Sequence, residues 1–364
     1  MFVSKKTLTL IFSIIFFNLF CFSQARIVWQ KKLSFSPKKA IETENGALYV
    51  CSFSDVCLLD SSGNILWQKK IKDQSQGKFY LNDQGGLFTA TTKEKLIVFS
   101  KEGDIVVNKP FKYLNIIGQG NNKSTVFATI GGHLKSIYGG TIVVDQKVAC
   151  IDSTGKTVWT YFTKNEQISW AYQLKNGNIM VAVKKEGESG DPKIFLINQH
   201  GKFIKETNIK AAKTPVFAGD LVLLFTLDPK TYFYKLVAYS VDLSEKKWEV
   251  KTGTTKVFPT LYRNTLYWVM PEGAMIPEYG TMVMYNLNGK MQGSIPKVVY
   301  MSAQGLVIKN KLLIPRYGRL FLYESPFDIK EIGFAAGPAN SFFAGKNRFY
   351  VLNPDKKLVI AATL

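Results

Sequence analysis

CLLDSSGNILW, residues 57–67, recurs as ACIDSTGKTVW at 149–159, which sets Asp60, Gly63 and Trp67 against Asp152, Gly155 and Trp159. Looser copies carry Ser100 with Gly103, Asn198 with Gly201, and Asn286 with Gly289. Each places a short polar residue three positions before a glycine. The glycines step by 40, 52, 46 and then 88 residues, and near the middle of that last interval Asp242 and Trp248 mark a copy without its glycine. A period in the low forties built from short strands is the signature of propeller blades.

Within the first copy, Cys57, Leu59, Ile65 and Trp67 are apolar at strand spacing on either side of a tight turn, where Gly63 can supply a positive φ. The unit is a β-hairpin. A further apolar run precedes most hairpins: ALYV after Gly46, LFTA after Gly86, IMVAV after Gly177, LVLLF after Gly219 and LYWVM after Asn264. With one more strand ahead of each run, every repeat offers four antiparallel strands, and such a sheet buries its two faces only by stacking on its neighbours.

This spacing predicts blades at about 38–72, 78–113, 114–162, 165–209, 212–252, 255–295 and 296–333, with an eighth beginning near Gly337. The eighth has NRFYVLN and KKLVIAATL as clear strands and no outer strand of its own. RIVWQKKL at 26–33 resembles NILWQKKI at 64–71 and has no hairpin partner before it. The expected fold is therefore all-β, an eight-bladed propeller whose first strand closes the last blade; seven blades with an irregular tail is the alternative.

Lys5 and Lys6 precede a mostly apolar run from Leu8 to Phe22, followed by Ser23 and Ala25. The pattern predicts a signal peptide over 1–25, a single propeller domain over 26–364, and a periplasmic or extracellular destination. An uncleaved anchor and a lipid-anchored Cys21 are the competing readings. Cys51, Cys57 and Cys150 remain after cleavage, an odd number that argues against a disulfide-built scaffold. Cys51 and Cys57 are expected on adjoining strands, diagonal to each other and packed as buried thiols, with a disulfide between them as the alternative.

The chain carries a net charge of +20, and only five of its 47 basic residues are arginine. Such charge attracts anionic surfaces, an envelope surface included. Specific phosphate readers favour the arginine fork, and the lysines are spread along the chain, so no nucleic-acid partner is expected. Nor does a catalytic constellation stand out. His200 lies in the turn NQHG, His133 follows Gly131 and Gly132 in an insertion of blade three, and no metal-binding spacing occurs. GQGNNKS at 118–124 lacks the glycine before its lysine that a phosphate loop has, and GESG at 187–190 lacks the strand and helix of a nucleophile elbow.

The departures from the repeat are more informative. From the residue opening the second strand to the polar residue of the hairpin turn, blades one and two count 14, whereas blades four, five and six count 21, 23 and 22. The excess falls between second and third strands, so all three insertions emerge on one face. They carry Glu186, Asp191, Asp228, Glu272 and Glu278 beside Tyr232, Tyr234, Tyr279 and Met275, a blend suited to a protein or peptide partner. Tolerated surface insertion is the alternative reading.

The Asp, Gly, Trp hairpin resembles the repeat of the pyrroloquinoline-quinone-type (PQQ-type) propellers, which include the quinoprotein alcohol dehydrogenases and the BamB-type outer-membrane assembly propeller. The resemblance implies that the tryptophans pack between neighbouring blades. In the quinoprotein enzymes it further implies adjacent cysteines over the cofactor and calcium held by acidic and amide side chains, and these have no counterparts here. The expectation is a non-enzymatic, exported binding or scaffolding module, monomeric and without a cofactor. A PQQ- and calcium-dependent oxidoreductase and a binder of anionic glycan are the alternatives.

Overall fold

The computed structural model describes residues 25–364 apart from 138–139, 165, 186–190, 212–214, 229, 232, 254–256, 258, 272–278, 300–303, 317–318, 326–327 and 333–340. The predicted signal peptide, Cys21 and the GESG segment lie outside the described residues. The remainder forms eight four-stranded antiparallel sheets and one two-stranded hairpin. In seven sheets the strands follow chain order, giving blades at 39–70, 75–110, 115–162, 166–210, 216–253, 260–299 and 306–332.

The eighth sheet joins the ends of the chain. Ser341–Ala344, Phe349–Asn353 and Leu358–Thr363 form its first three strands, and Arg26–Lys32 forms the fourth. Arg26 pairs with Thr363 and Lys32 with Leu358, antiparallel, with one register shift between Ile27 and Trp29.

The core lies between the blades rather than inside them. Among the described residues there are eight hydrophobic clusters, each shared by two neighbouring blades, such as Leu48, Val50, Cys57 and Leu59 of blade one with Tyr350, Leu352 and Val359 of blade eight. Middle strands are covered on both faces, so Leu48–Cys51 and Asp55–Leu59 are buried throughout, while the outer strand Ile65–Lys70 is largely exposed. Val50 pairs with Cys57 and Cys51 with Val56, so the two cysteines are diagonal. Both are free, as is Cys150, and all three are buried.

In several of the described hairpin turns a polar residue holds the turn closed. Asp60 Oδ1 accepts the backbone N–H groups of Ser62 and Asn64, both at 2.8 Å. Asn198 and Asn286 repeat this with His200 and Lys202, and with Asn288 and Lys290. Gly63 takes φ +87° at the position the turn requires. In blade five, where the glycine is lost, Leu243 adopts φ +59°, and the Ser240 hydroxyl accepts the Glu245 N–H.

The glycine has a second partner. A Cβ on Gly63 would lie 2.7 Å from the ring of Trp29, on Gly201 2.7 Å from that of Trp159, and on Gly289 2.4 Å from that of Trp248. Each indole thus lies against the glycine of the following blade, and Trp29 and Trp248 also donate Nε1–H to the carbonyls of Ser61 and Leu287 in those turns. Val107 takes this place against Gly155.

Candidate functional site

In a propeller the connections between second and third strands share one face with the links between blades, and the short hairpin turns share the other. The first of these, the loop face, carries the enlarged connections of blades four to six. Asp191 and Asp228 do local work there. Asp191 Oδ2 accepts the Leu227 N–H of the next blade at 2.7 Å. Asp228 Oδ1 accepts the Lys230 N–H at 2.9 Å, and its other oxygen lies 3.4 Å from Lys235 Nζ. These bonds, led by the one from Lys230, hold the Asp228 carboxyl below its ordinary range.

Tyr234 pairs across the strand with Leu227, which brings Asp191, Asp228 and Tyr234 together at the seam of blades four and five. Tyr279 starts the third strand of blade six and is 47% exposed, and Phe233 beside Tyr234 is also exposed. Glu186, Tyr232, Glu272, Met275 and Glu278 lie outside the described residues.

Blade three extends the same face. Between its second strand, Thr125–Ile130, and its third, Lys147–Asp152, a hairpin of His133–Ile137 and Gly140–Val144 is inserted. Gly131 and Gly132, both at positive φ, lead into it. Its second strand packs against Glu166–Gln173, the inner strand of blade four. His133 Nδ1 stands 3.5 Å from Asp145 Oδ2 at the base of the hairpin, giving this histidine a structural partner.

Under the hairpin is a cavity of about 380 Å³, at the small end of the range for ligand pockets. Gln76, Asn115, Gln146, Gln167 and Ser169 line it, with Ile142 and Val143 from the hairpin. Thr129 also lines it, and its buried hydroxyl has no hydrogen-bond partner among the described residues. Glu94, the one carboxylate of the lining, already accepts the Tyr113 N–H at 2.9 Å. This surface has groups that both donate and accept, suited to peptide bonds or uncharged side chains.

A wider groove of about 850 Å³ lies on the turn face of blades one to three, with Asn45, Asn82, Asn121 and Asn122 at its edge. Lys123 of blade three bridges it to Glu44 of blade one at 2.9 Å. Asn82 and Asn122 close their own turns there, through Gln84, Gly86 and Ser124 N–H groups.

The described residues do not reproduce the ligand set that the quinoprotein resemblance implies. Cys51, Cys57 and Cys150 belong to the cores between blades. Among the described residues no three His, Cys, Asp or Glu side chains are placed to hold a metal ion. On the inner strands Lys39 donates to the Phe79 carbonyl of the next blade, and Lys78 to that of Ile116, at 2.8 Å each. Burial lowers the pKa of both ammonium groups.

No family model matches the sequence, and no protein of curated function does. Solved structures do. BamB from Moraxella catarrhalis superposes with a TM-score of 0.65 at 14% identity, covering 93% of this chain and all of that one. Sqt1 from Saccharomyces cerevisiae gives 0.63 at 9%, covering 94% and 100%. Quinohemoprotein alcohol dehydrogenase from Comamonas testosteroni gives 0.58 at 12%, covering 93% of this chain and 76% of that one. With its eight blades, closing first strand and indole-on-glycine seams, the chain has an eight-bladed propeller fold similar to that of BamB and of the quinohemoprotein alcohol dehydrogenase.

Proposed function

We propose that the chain is an exported, non-enzymatic propeller that binds a protein or peptide partner of the cell envelope on its loop face. The observation that carries this reading is the one-sidedness of the ring. Blades three to six all enlarge the same connection, so four consecutive blades build up one sector of one face while blades one and two keep short connections. Binding residues concentrate on loops that a rigid scaffold presents. Asp191 and Asp228 fix the loops, and Tyr279, Phe233 and the cavity under the blade-three hairpin provide the contact. Propeller neighbours such as BamB support a scaffold role by analogy. Export is supported by the first described strand, which begins at Arg26, so that cleavage after Ala25 leaves every described strand in place.

Shortening the 186–190, 228–233 and 272–278 connections to blade-one length tests the proposal, with melting curves to show that the ring still forms. Cross-linking in intact cells should then lose the partner captured by the unaltered chain. Retained capture by a folded, shortened ring rules the loop face out. N-terminal sequencing of the mature protein tests the cleavage site.

A further inference from the structure

We propose that the rim formed by the outer strands of blades eight and one is a docking surface for an anionic lipid bilayer. These strands, Arg26–Lys32 (RIVWQKK) and Ile65–Lys70 (ILWQKK), lie side by side across the seam where the ends of the chain meet. Trp29 Nε1 donates to the Ser61 carbonyl at 3.0 Å, and Gln68 Nε2 to Ser34 Oγ at 2.7 Å, so they form one continuous surface.

Each strand exposes an aliphatic pair at its start. Ile27, Val28, Ile65 and Leu66 are 49%, 46%, 40% and 57% exposed. Each strand ends in two lysines: Lys31 and Lys32 in one, Lys69 and Lys70 in the other, with Arg26 and Lys72 at the margins. Neither strand contains an acid, and none of these cations has a carboxylate partner among the described residues. Exposed aliphatics beside uncompensated lysines, whose stems lie along apolar surface while the ammonium reaches outward, match the boundary between headgroups and acyl chains.

Other outer strands depart from this pattern. Ile105 and Val106 of blade two are exposed, but Lys109 is spent on the Gly155 carbonyl and the Phe111 ring. Phe203 and Ile204 of blade four are followed by a single lysine, Lys205, and not by a lysine pair, and the strand also carries an acid, Glu206, which pairs with Lys193. In blade five Lys246 and Lys247 pair with Glu249 and Glu245, and no aliphatic pair precedes them. Anionic glycan or nucleic acid would use the charge and leave the aliphatics without a role. A bilayer uses both.

The test is co-sedimentation of the chain beginning at Ala25, which holds every described strand of the ring, with vesicles of phosphatidylcholine with and without phosphatidylglycerol. Binding should require phosphatidylglycerol and weaken with salt. Replacing Lys31, Lys32, Lys69 and Lys70 with glutamine should abolish it, each lysine contributing about fivefold. Val28→Ser with Leu66→Ser should weaken binding while leaving its salt dependence intact. Lys246→Gln with Lys247→Gln, on blade five, should change nothing. All these side chains are on the surface, and unchanged melting curves show that the variants fold.

Failure to bind phosphatidylglycerol vesicles overturns the proposal and leaves the lysines as guards against edge-to-edge strand pairing. Equal weakening by the blade-five pair overturns it too, since net charge would then suffice. Partner capture by the loop face is read separately, so either proposal can fail alone.

Discussion

The Trp67 indole covers Gly103, not Gly63: a Cβ at Gly103 would lie 2.6 Å from the ring, and Nε1 donates to the Lys101 carbonyl at 2.8 Å. The Asp, Gly and Trp of one repeat therefore serve two different seams. Gly103→Ala introduces that clash at φ +94° and should destabilise the ring by about 2 kcal/mol. Trp67→Ala should cost about 3 kcal/mol, and the double variant clearly less than the sum, because the alanine methyl no longer meets the ring. Denaturant midpoints of the four proteins complete the cycle.

Removing residues 26–32 leaves the strand Leu358–Thr363 with a free edge. The shortened chain should melt at lower temperature and self-associate as its concentration rises, through that edge. Light scattering beside calorimetry checks both effects. A monomer of unchanged melting temperature would show that ring closure contributes nothing.

The Asp242 carboxyl is held at about 2 by hydrogen bonds from Ser240 and Ser244, against an ordinary 3.8. A depressed carboxyl stabilises the folded state above its ordinary value, and the gain disappears as pH falls through the folded value. Asp242→Asn should thus be less stable than the unaltered chain at neutral pH and lose this deficit between about pH 4 and pH 2. Because the group is exposed, the difference should stay under about 1 kcal/mol. Urea midpoints across that range measure it.

Burial pushes the Cys57 thiol up to about 12 and Cys150 to about 11, and raises Cys51 as well. In the chain from Ala25 onward, a colourless disulfide reagent at pH 8 should find no reactive thiol in the native state and three after denaturation. Fewer than three would reveal a bond that the diagonal placement of Cys51 and Cys57 disfavours.

Much of this was legible in the sequence. The glycine spacing located the blades, and RIVWQKKL without a hairpin partner identified the closing strand. The indole's true partner was harder to see, because it sits in the next copy about 40 residues away. One signal was present: blade five lacks the turn glycine, and blade four has Lys205 where the tryptophan would stand. Both halves of the contact are lost together. The blade-three hairpin was readable only as an insertion; that it folds back over the inner strand of blade four depends on packing between blades. Loop carboxylates such as Asp191 look alike whether they face a partner or a backbone N–H, so their structural use was hidden.

Every core is shared between neighbours, and the first strand waits for the last. Arg26 emerges early from a ribosome, yet its pairing partner Thr363 lies in the strand Leu358–Thr363, made long after it. No blade can finish burying its two faces alone, so the chain holds an unfinished sheet until the strand Leu358–Thr363 has been made. This is a built-in delay: the lock that makes the ring closes only when that strand is in place.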